Sequence, residues 1–234
     1  MIINKIRLGL EVIRYNLKIV FANKFIYFLI AAIAFFLLIT GIFLFNNGTV
    51  IDAYVYNLLI FPGILIMFYP VIFNIQNDKD ARMLEIIFGV PNYRYKVYLV
   101  RFTIAMLLLF VILYLMGWFV VFAILRIDVL PMVGQLMFPL LFLASVAFLF
   151  STLLRNANGA AVIMIVIGLV FFILNQPLRY SKWNLFFNPF DVANDMSYSI
   201  WRSLLYQNRL MLSVASIVAI LWALINLQRR EKFV

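Results

Sequence analysis

The chain has 234 residues, of which 67% are hydrophobic and 12% charged, and its formal net charge is +10. This composition is far from that of soluble globular domains and indicates lipid as the solvent. Cysteine and histidine are both absent, which excludes disulfides, thiolate or imidazole metal sites and histidine acid–base catalysis. No catalytic residue, metal site or cofactor-binding residue is predicted for this chain.

Six runs without a charged residue are each long enough to cross a hydrocarbon core, which needs about 20 apolar residues. They are Phe25–Phe45, Ala53–Asn77, Phe102–Leu125, Val129–Leu154, Asn156–Leu178 and Leu210–Gln228. The strongly apolar part of the fifth run, Ala160–Leu174, is short, so a segment that turns back part-way is an alternative there. The predicted fold class is all-α: a polytopic membrane protein with six transmembrane helices and a single domain over 1–234.

Short loops with an excess of lysine and arginine remain on the cytoplasmic side of the membrane, so the distribution of these residues indicates the topology. With both termini inside, 14 of these residues are cytoplasmic and 5 are not. We therefore expect a multi-pass protein of the cell (inner or plasma) membrane with cytoplasmic N- and C-termini. The net positive charge also attracts anionic membrane lipids. Because the charges do not form one solvated face, no nucleic-acid partner is expected.

Residues 1–24 precede the first span and combine apolar residues at helical spacing with a neighbouring, mostly basic stripe. The apolar positions are Ile6, Leu10, Ile13, Leu17 and Phe21, and the charged ones are Arg7, Glu11, Arg14 and Lys18. This periodicity predicts an amphipathic helix lying in the membrane interface.

The second span contains prolines and asparagines. Pro62, Gly63 and Pro70 weaken the backbone hydrogen bonding and favour kinks. Asn57 and Asn74 are its polar residues. Hydrogen bonding between helices is the first interpretation of these asparagines, and lining of a translocation path is the second.

Residues 77–96 form a charged interval that must lie in water, because burial of so many charges would be too costly. Asn77 is a candidate N-cap, and Gly89 and Pro91 stand where a helix would end, which predicts a short helix from about Asp78 to Phe88. Its apolar face could pack on the membrane or on the bundle and simply connect two spans. Its mixed charge favours a groove on another protein over lipid.

The order of residues from this interval into the third span resembles the coupling-helix region of ABC-2 type transporter permeases. The matching residues are Leu84, Glu85, Pro91, Arg94, Leu99 and Arg101. The family often has Gly-Thr before the Leu-Glu pair, where this chain has Arg82 and Met83. In that family the segment also lies between spans 2 and 3 of a six-span subunit with an amphipathic N-terminal helix.

The resemblance implies that the helix inserts into a cleft on a separate nucleotide-binding subunit and couples ATP hydrolysis to the spans. Leu84, Glu85, Pro91 and Arg94 belong to the family pattern, and the two faces of the predicted helix add Arg82, Ile87 and Phe88. We expect these seven residues to provide the coupling. The chain has no G-x-x-x-x-G-K-[ST] phosphate loop, so the expected partner is an ABC ATPase subunit dimer that binds the ATP. The chain itself is then not an enzyme.

The resemblance also implies a second permease, identical or homologous, with the translocation route between the two subunits and export as the usual direction. A membrane scaffold or assembly subunit without transport is the alternative. A membrane-embedded enzyme is disfavoured because the spans carry no paired acids, no Ser–Lys pair and no metal cluster.

Residues 177–209 form the extracytoplasmic loop between the fifth and sixth spans and mix aromatic with charged residues. Such a mixture is typical of anchoring at headgroup level. The resemblance suggests in addition short re-entrant or surface helices that form an outer lid, with a break at Asn188 and Pro189.

Overall fold

The computed structural model describes residues 24–45, 51–80, 94–192 and 196–228. The predicted amphipathic helix over residues 1–24 lies outside these ranges, except for Lys24. The C-terminal residues 229–234 lie outside them as well.

Seven helices form the described part of the chain. They are α1 (Phe25–Phe45), α2 (Asp52–Ile72), α3 (Asn74–Asp80), α4 (Arg94–Ala123), α5 (Val129–Leu154), α6 (Ala157–Leu174) and α7 (Tyr198–Gln228). Six of the segments are long and apolar enough to cross a membrane, with α3 continuing the second of them. The expectation of an all-α, multi-pass membrane protein with six spans is therefore confirmed, and α1 and α5 begin and end at the predicted residues.

Helices α2 and α5 form the centre of the bundle. α2 packs against α1, α4 and α5, and α5 also packs against α4, α6 and α7. The two central helices approach closely at Gly63, where an added Cβ would come within 2.7 Å of the Leu140 Cδ1 atom. A larger residue at this position would have to displace the Leu140 side chain, which is itself fully buried.

Helices α1 and α6 lie at the periphery and each buries one narrow stripe of residues. In α1 this stripe is Phe25, Ala32, Phe36 and Thr40, and in α6 it is Ala157, Ala160 and Met164. Their remaining faces are apolar and exposed, as expected for helices that contact hydrocarbon.

The chain after α2 differs from the prediction. Helix α2 is interrupted at Phe73, and α3 then begins at Asn74, so Asn77 lies inside a helix and is not its N-cap. Asp78 is in the last turn of α3 and is buried. The prediction placed Asp78 in water because it did not anticipate a buried cation from α4 as its partner.

The chain before α7 also differs from the prediction. Residues 175–192 and 196–197 form turns, bends and irregular chain. The short helices predicted for 177–209 are therefore not found in that stretch, and Asn188 and Pro189 do not separate two helices. The last helix begins at Tyr198 and not at Leu210, so it includes the rest of the predicted loop.

The fifth span is an 18-residue helix that ends at Leu174. Its N-terminus is capped by Asn156, whose side-chain oxygen accepts hydrogen bonds from the backbone N–H groups of Asn158 at 2.9 Å and Gly159 at 3.4 Å.

Candidate functional site

Two clusters of hydrogen-bonded polar side chains that include a buried arginine lie near opposite ends of α2 and α5. The Asp78 cluster consists of Asn74, Asp78, Tyr98 and Arg101. The Arg209 cluster consists of Tyr56, Gln135, Asn208 and Arg209 together with the backbone carbonyl of Phe187. Buried polar groups are costly unless they are hydrogen-bonded, so both clusters are candidates for function.

The Asp78 cluster is built around an ion pair. Arg101 Nη1 lies 2.6 Å from Asp78 Oδ2 and also donates to Asn74 Oδ1 at 3.0 Å. The Tyr98 hydroxyl donates to the same Asp78 oxygen at 2.9 Å. Asp78 and Arg101 are each only 6% exposed, and Tyr98 is fully buried. Removing one partner from such a pair leaves an uncompensated buried charge, at a cost of about 3–5 kcal/mol.

Helical spacing brings these four residues together. Asn74 and Asp78 are four residues apart in α3, and Tyr98 and Arg101 are three apart in α4, so each pair lies on one face of its helix. The bonds between the two faces therefore fix α3 against α4.

At the same end of the bundle, Ser151 connects α5 to the end of α2. The Ser151 hydroxyl donates to the backbone carbonyl of Ile72 at 2.9 Å. Ile72 is the last residue of α2, where carbonyl groups lack partners within the helix. The interruption at Phe73 is therefore stabilised by a side chain from a neighbouring helix.

The predicted coupling residues lie next to this cluster in sequence. Those from Arg82 to Pro91 are outside the described ranges, namely Arg82, Leu84, Glu85, Ile87, Phe88 and Pro91, and so is the side chain of Arg94. The backbone of Arg94 begins α4. The Asp78 cluster thus joins the two helices that lead into and out of the interval 81–93.

The two candidate path residues are far apart: Asn57 lies near the start of α2, and Asn74 is the first residue of α3, just beyond the other end of α2. Asn74 accepts the hydrogen bond from Arg101 described above. Asn57 is exposed and lines a cavity of about 260 Å³, where the Asn188 side-chain amide lies 3.4 Å from its oxygen. The Asn188 amide also donates to the Ala53 carbonyl at 2.8 Å. The structure does not bring Asn57 and Asn74 together.

The Arg209 cluster joins three spans around one guanidinium group. Arg209 Nε donates to Gln135 Oε1 of α5 at 2.8 Å, and Nη1 donates to Asn208 Oδ1 at 2.9 Å. Nη2 donates to the Tyr56 hydroxyl of α2 at 3.3 Å and to the Phe187 carbonyl at 3.2 Å. Arg209 is 6% exposed, and all four acceptors are neutral.

Hydrogen bonds from Asn208 connect the chain between α6 and α7 to this cluster. Its side-chain amide donates to the carbonyls of Lys182 and Asn184, each at 2.8 Å. The Asn184 side chain in turn donates to Asn175 Oδ1 at 2.9 Å. The turns after α6 are therefore held onto the bundle by asparagine side chains.

Sequence reasoning missed the Arg209 cluster because charge counting assigned Arg209 to an aqueous loop. The signal was the spacing of apolar and small residues in the last span. Leu212, Ser216, Ala219 and Ala223 form the buried stripe of α7 at intervals of three and four. Extending this stripe backwards by one turn reaches Asn208 and Arg209, which predicts that both face the bundle.

Comparisons of the chain with protein-family models, with curated proteins and with solved structures find no match. The assignment of a family therefore depends on the residues of the chain itself.

Proposed function

We propose that this chain is the permease subunit of an ABC transporter. It forms a translocation route with a second permease, identical or homologous, and exports its substrate with energy from ATP hydrolysis on a separate nucleotide-binding subunit dimer. Both termini are then cytoplasmic, and the Asp78 cluster lies at the cytoplasmic end of the bundle, in the cell membrane.

The Asp78 cluster is the observation that carries this proposal. A segment that transmits force needs ends that do not move independently of each other. The ion pair of Asp78 with Arg101 ties the end of α3 to α4, close to both ends of the interval 81–93. Coupled helices of this kind support the coupling role that the sequence pattern of Leu84, Glu85 and Pro91 suggests.

In this proposal the interval 81–93 holds the coupling helix. Leu84, Ile87 and Phe88 provide apolar anchorage in a cleft of the ATPase, and Arg82 and Glu85 orient the helix there. In the same proposal the amphipathic segment 1–24 lies in the cytoplasmic interface. Movement of the ATPase subunits then reaches α2 and α4 through the Asp78 cluster.

The first experiment tests whether the chain is bound to an ATPase subunit. The tagged chain is purified from its native membrane in mild detergent, and co-purified polypeptides are identified by mass spectrometry. The proposal predicts a stoichiometric subunit with a phosphate-binding P-loop and ATPase activity in the complex. Purification without any nucleotide-binding subunit would reject transport and favour the alternative of a membrane scaffold.

The second experiment tests the coupling residues with the double variant Glu85→Lys plus Phe88→Ala. We expect it to remain in the membrane but to lose ATP hydrolysis coupled to transport. The matched control is Asp52→Lys plus Phe45→Ala, the same kinds of change at exposed residues on the opposite end of the bundle. Unchanged hydrolysis in the Glu85 and Phe88 variant would reject the docking assignment.

A further inference from the structure

A cavity of about 490 Å³ opens beside Arg209 between α5 and α7. Its apolar walls are formed by Phe138, Leu205, Tyr206 and Leu210. Arg202 and Arg209 also line it, and its lining contains no acidic residue among those the structure describes. The volume lies within the range of about 300–1,000 Å³ that is usual for sites of small molecules.

The charge of Arg209 is not compensated by any carboxylate in the described residues. Its guanidinium makes four hydrogen bonds, all to neutral acceptors. A guanidinium has five N–H donors, so one N–H, on Nη1, has no acceptor in the described ranges. A buried cation of this kind is stabilised by an anion, and an ionisable group held within a span is by default a candidate functional site.

Arg202 adds a second positive charge to the same cavity. It precedes Arg209 by two turns of α7, a distance of about 10 Å along the helix axis, and arginine side chains are long enough for both to approach one anionic group. Arg202 is exposed and makes no hydrogen bond in the part of the chain that is described. It is therefore available to a ligand without loss of an existing contact.

The apolar walls define the rest of the ligand. The Phe138 ring lies 5.6 Å from the guanidinium carbon of Arg209, so the cation is adjacent to an aromatic surface. A headgroup at the arginines would have a hydrocarbon chain beside Phe138 and Leu210. A small hydrophilic anion would leave these walls without contacts.

We infer that this cavity binds an anionic amphiphile, with a phosphate or carboxylate headgroup between Arg202 and Arg209 and a hydrocarbon chain along Phe138 and Leu210. The inference does not depend on a role in ATP-driven transport. The ligand could come from the bilayer as an anionic lipid, or it could be another compound with the same headgroup chemistry.

Binding is measured with dodecyl phosphate as the probe and the full chain in nanodiscs of phosphatidylcholine, with empty nanodiscs subtracted. We expect saturable binding of dodecyl phosphate and none of dodecyltrimethylammonium, which has the same chain and the opposite charge. Equal binding of the two probes would overturn the inference.

Two arginine variants and one control locate the site. Arg209→Gln is expected to weaken dodecyl phosphate binding about tenfold or more, since it removes a charge-assisted contact. Arg202→Gln, which breaks no hydrogen bond of the fold, is expected to weaken binding about fivefold. Arg179→Gln removes the same charge from a residue outside this cavity and should leave binding unchanged.

Lipid composition distinguishes the two sources of ligand. Phosphatidylglycerol added to the nanodiscs displaces the probe if the site holds an anionic bilayer lipid, whereas the probe stays bound if the site selects another anionic amphiphile. Either result supports the inference. Equal binding of dodecyl phosphate by wild type, Arg202→Gln and Arg209→Gln would overturn the inference. If Arg209→Gln does not fold, the comparison of wild type with Arg202→Gln alone tests it.

Discussion

Two ion pairs in the described residues differ in how far they are removed from water. The side chains of Arg101 and Asp78 are 7% and 8% exposed, and those of Arg179 and Asp191 are 50% and 43% exposed. Exposed pairs contribute about 0–1 kcal/mol because water and salt screen them. The buried pair is different in kind, since neither charge has water available when the other is lost.

The variant Asp78→Asn tests this difference. It keeps the shape of the side chain but leaves the Arg101 charge buried without a counterion, so we expect the free energy of unfolding to fall by about 3–5 kcal/mol. Thermal unfolding in nonionic detergent, followed by tryptophan fluorescence, is the measurement. The matched control Asp191→Asn should change stability by less than about 1 kcal/mol. Equal effects of the two variants would show that the Asp78 pair is solvated.

The break between α2 and α3 is the element that positions the Asp78 cluster. Pro70 lies within the last turn of α2, and the helix stops two residues later. The Ser151 hydroxyl supplies the missing donor for the Ile72 carbonyl. This bond connects α5 to the end of α2 and allows the chain to restart as α3 in the direction that points Asp78 towards α4.

The variant Ser151→Ala should therefore destabilise the protein by about 1–2 kcal/mol, because it leaves a buried carbonyl without a donor. Ser145→Ala is the control in the same helix. The Ser145 hydroxyl donates at 2.6 Å to the Leu141 carbonyl within α5, which also has its helical partner, so its loss should change stability by less than about 0.5 kcal/mol. Unfolding temperatures of the two purified variants can be compared directly, and an equal change in both would contradict this account of the α2 end.

At the scale of the whole molecule, the spans could be predicted because charge is costly in hydrocarbon and hydrophobic length is fixed by the bilayer. This constraint alone places α1 and α5 at their observed residues. It fails where a charge is buried with partners from other helices, as for Asp78 and Arg209. Local sequence does not contain most of those partners, because they come from α4 in one case and from α2, α5 and the turns after α6 in the other, with Asn208 as the one local partner of Arg209.

The Arg209 cluster also shows why loop boundaries were harder to predict than spans. The helix α7 extends to Tyr198 because Trp201 and Asn208 are buried against the turns after α6. Their contacts include the Trp201 ring 4.6 Å from that of Phe187. Hydropathy alone does not register such contacts. A prediction from hydropathy therefore starts the last span only after the last charged residue that precedes its apolar run. Only the tertiary partners show that the helix continues.

Orientation in the membrane gives the last prediction, and the absence of cysteine from the sequence makes it simple to test. Lys79 and Lys182 are both exposed and lie on opposite ends of the bundle, one in α3 and one in the turns after α6. If lysine and arginine excess sets the topology, Lys182→Cys reacts with a membrane-impermeant maleimide in intact cells and Lys79→Cys does not. Inside-out vesicles should reverse this pattern, and wild type has no thiol to label. Labelling of Lys79→Cys in intact cells would place the Asp78 cluster outside, where no cytoplasmic ATPase could reach the interval 81–93.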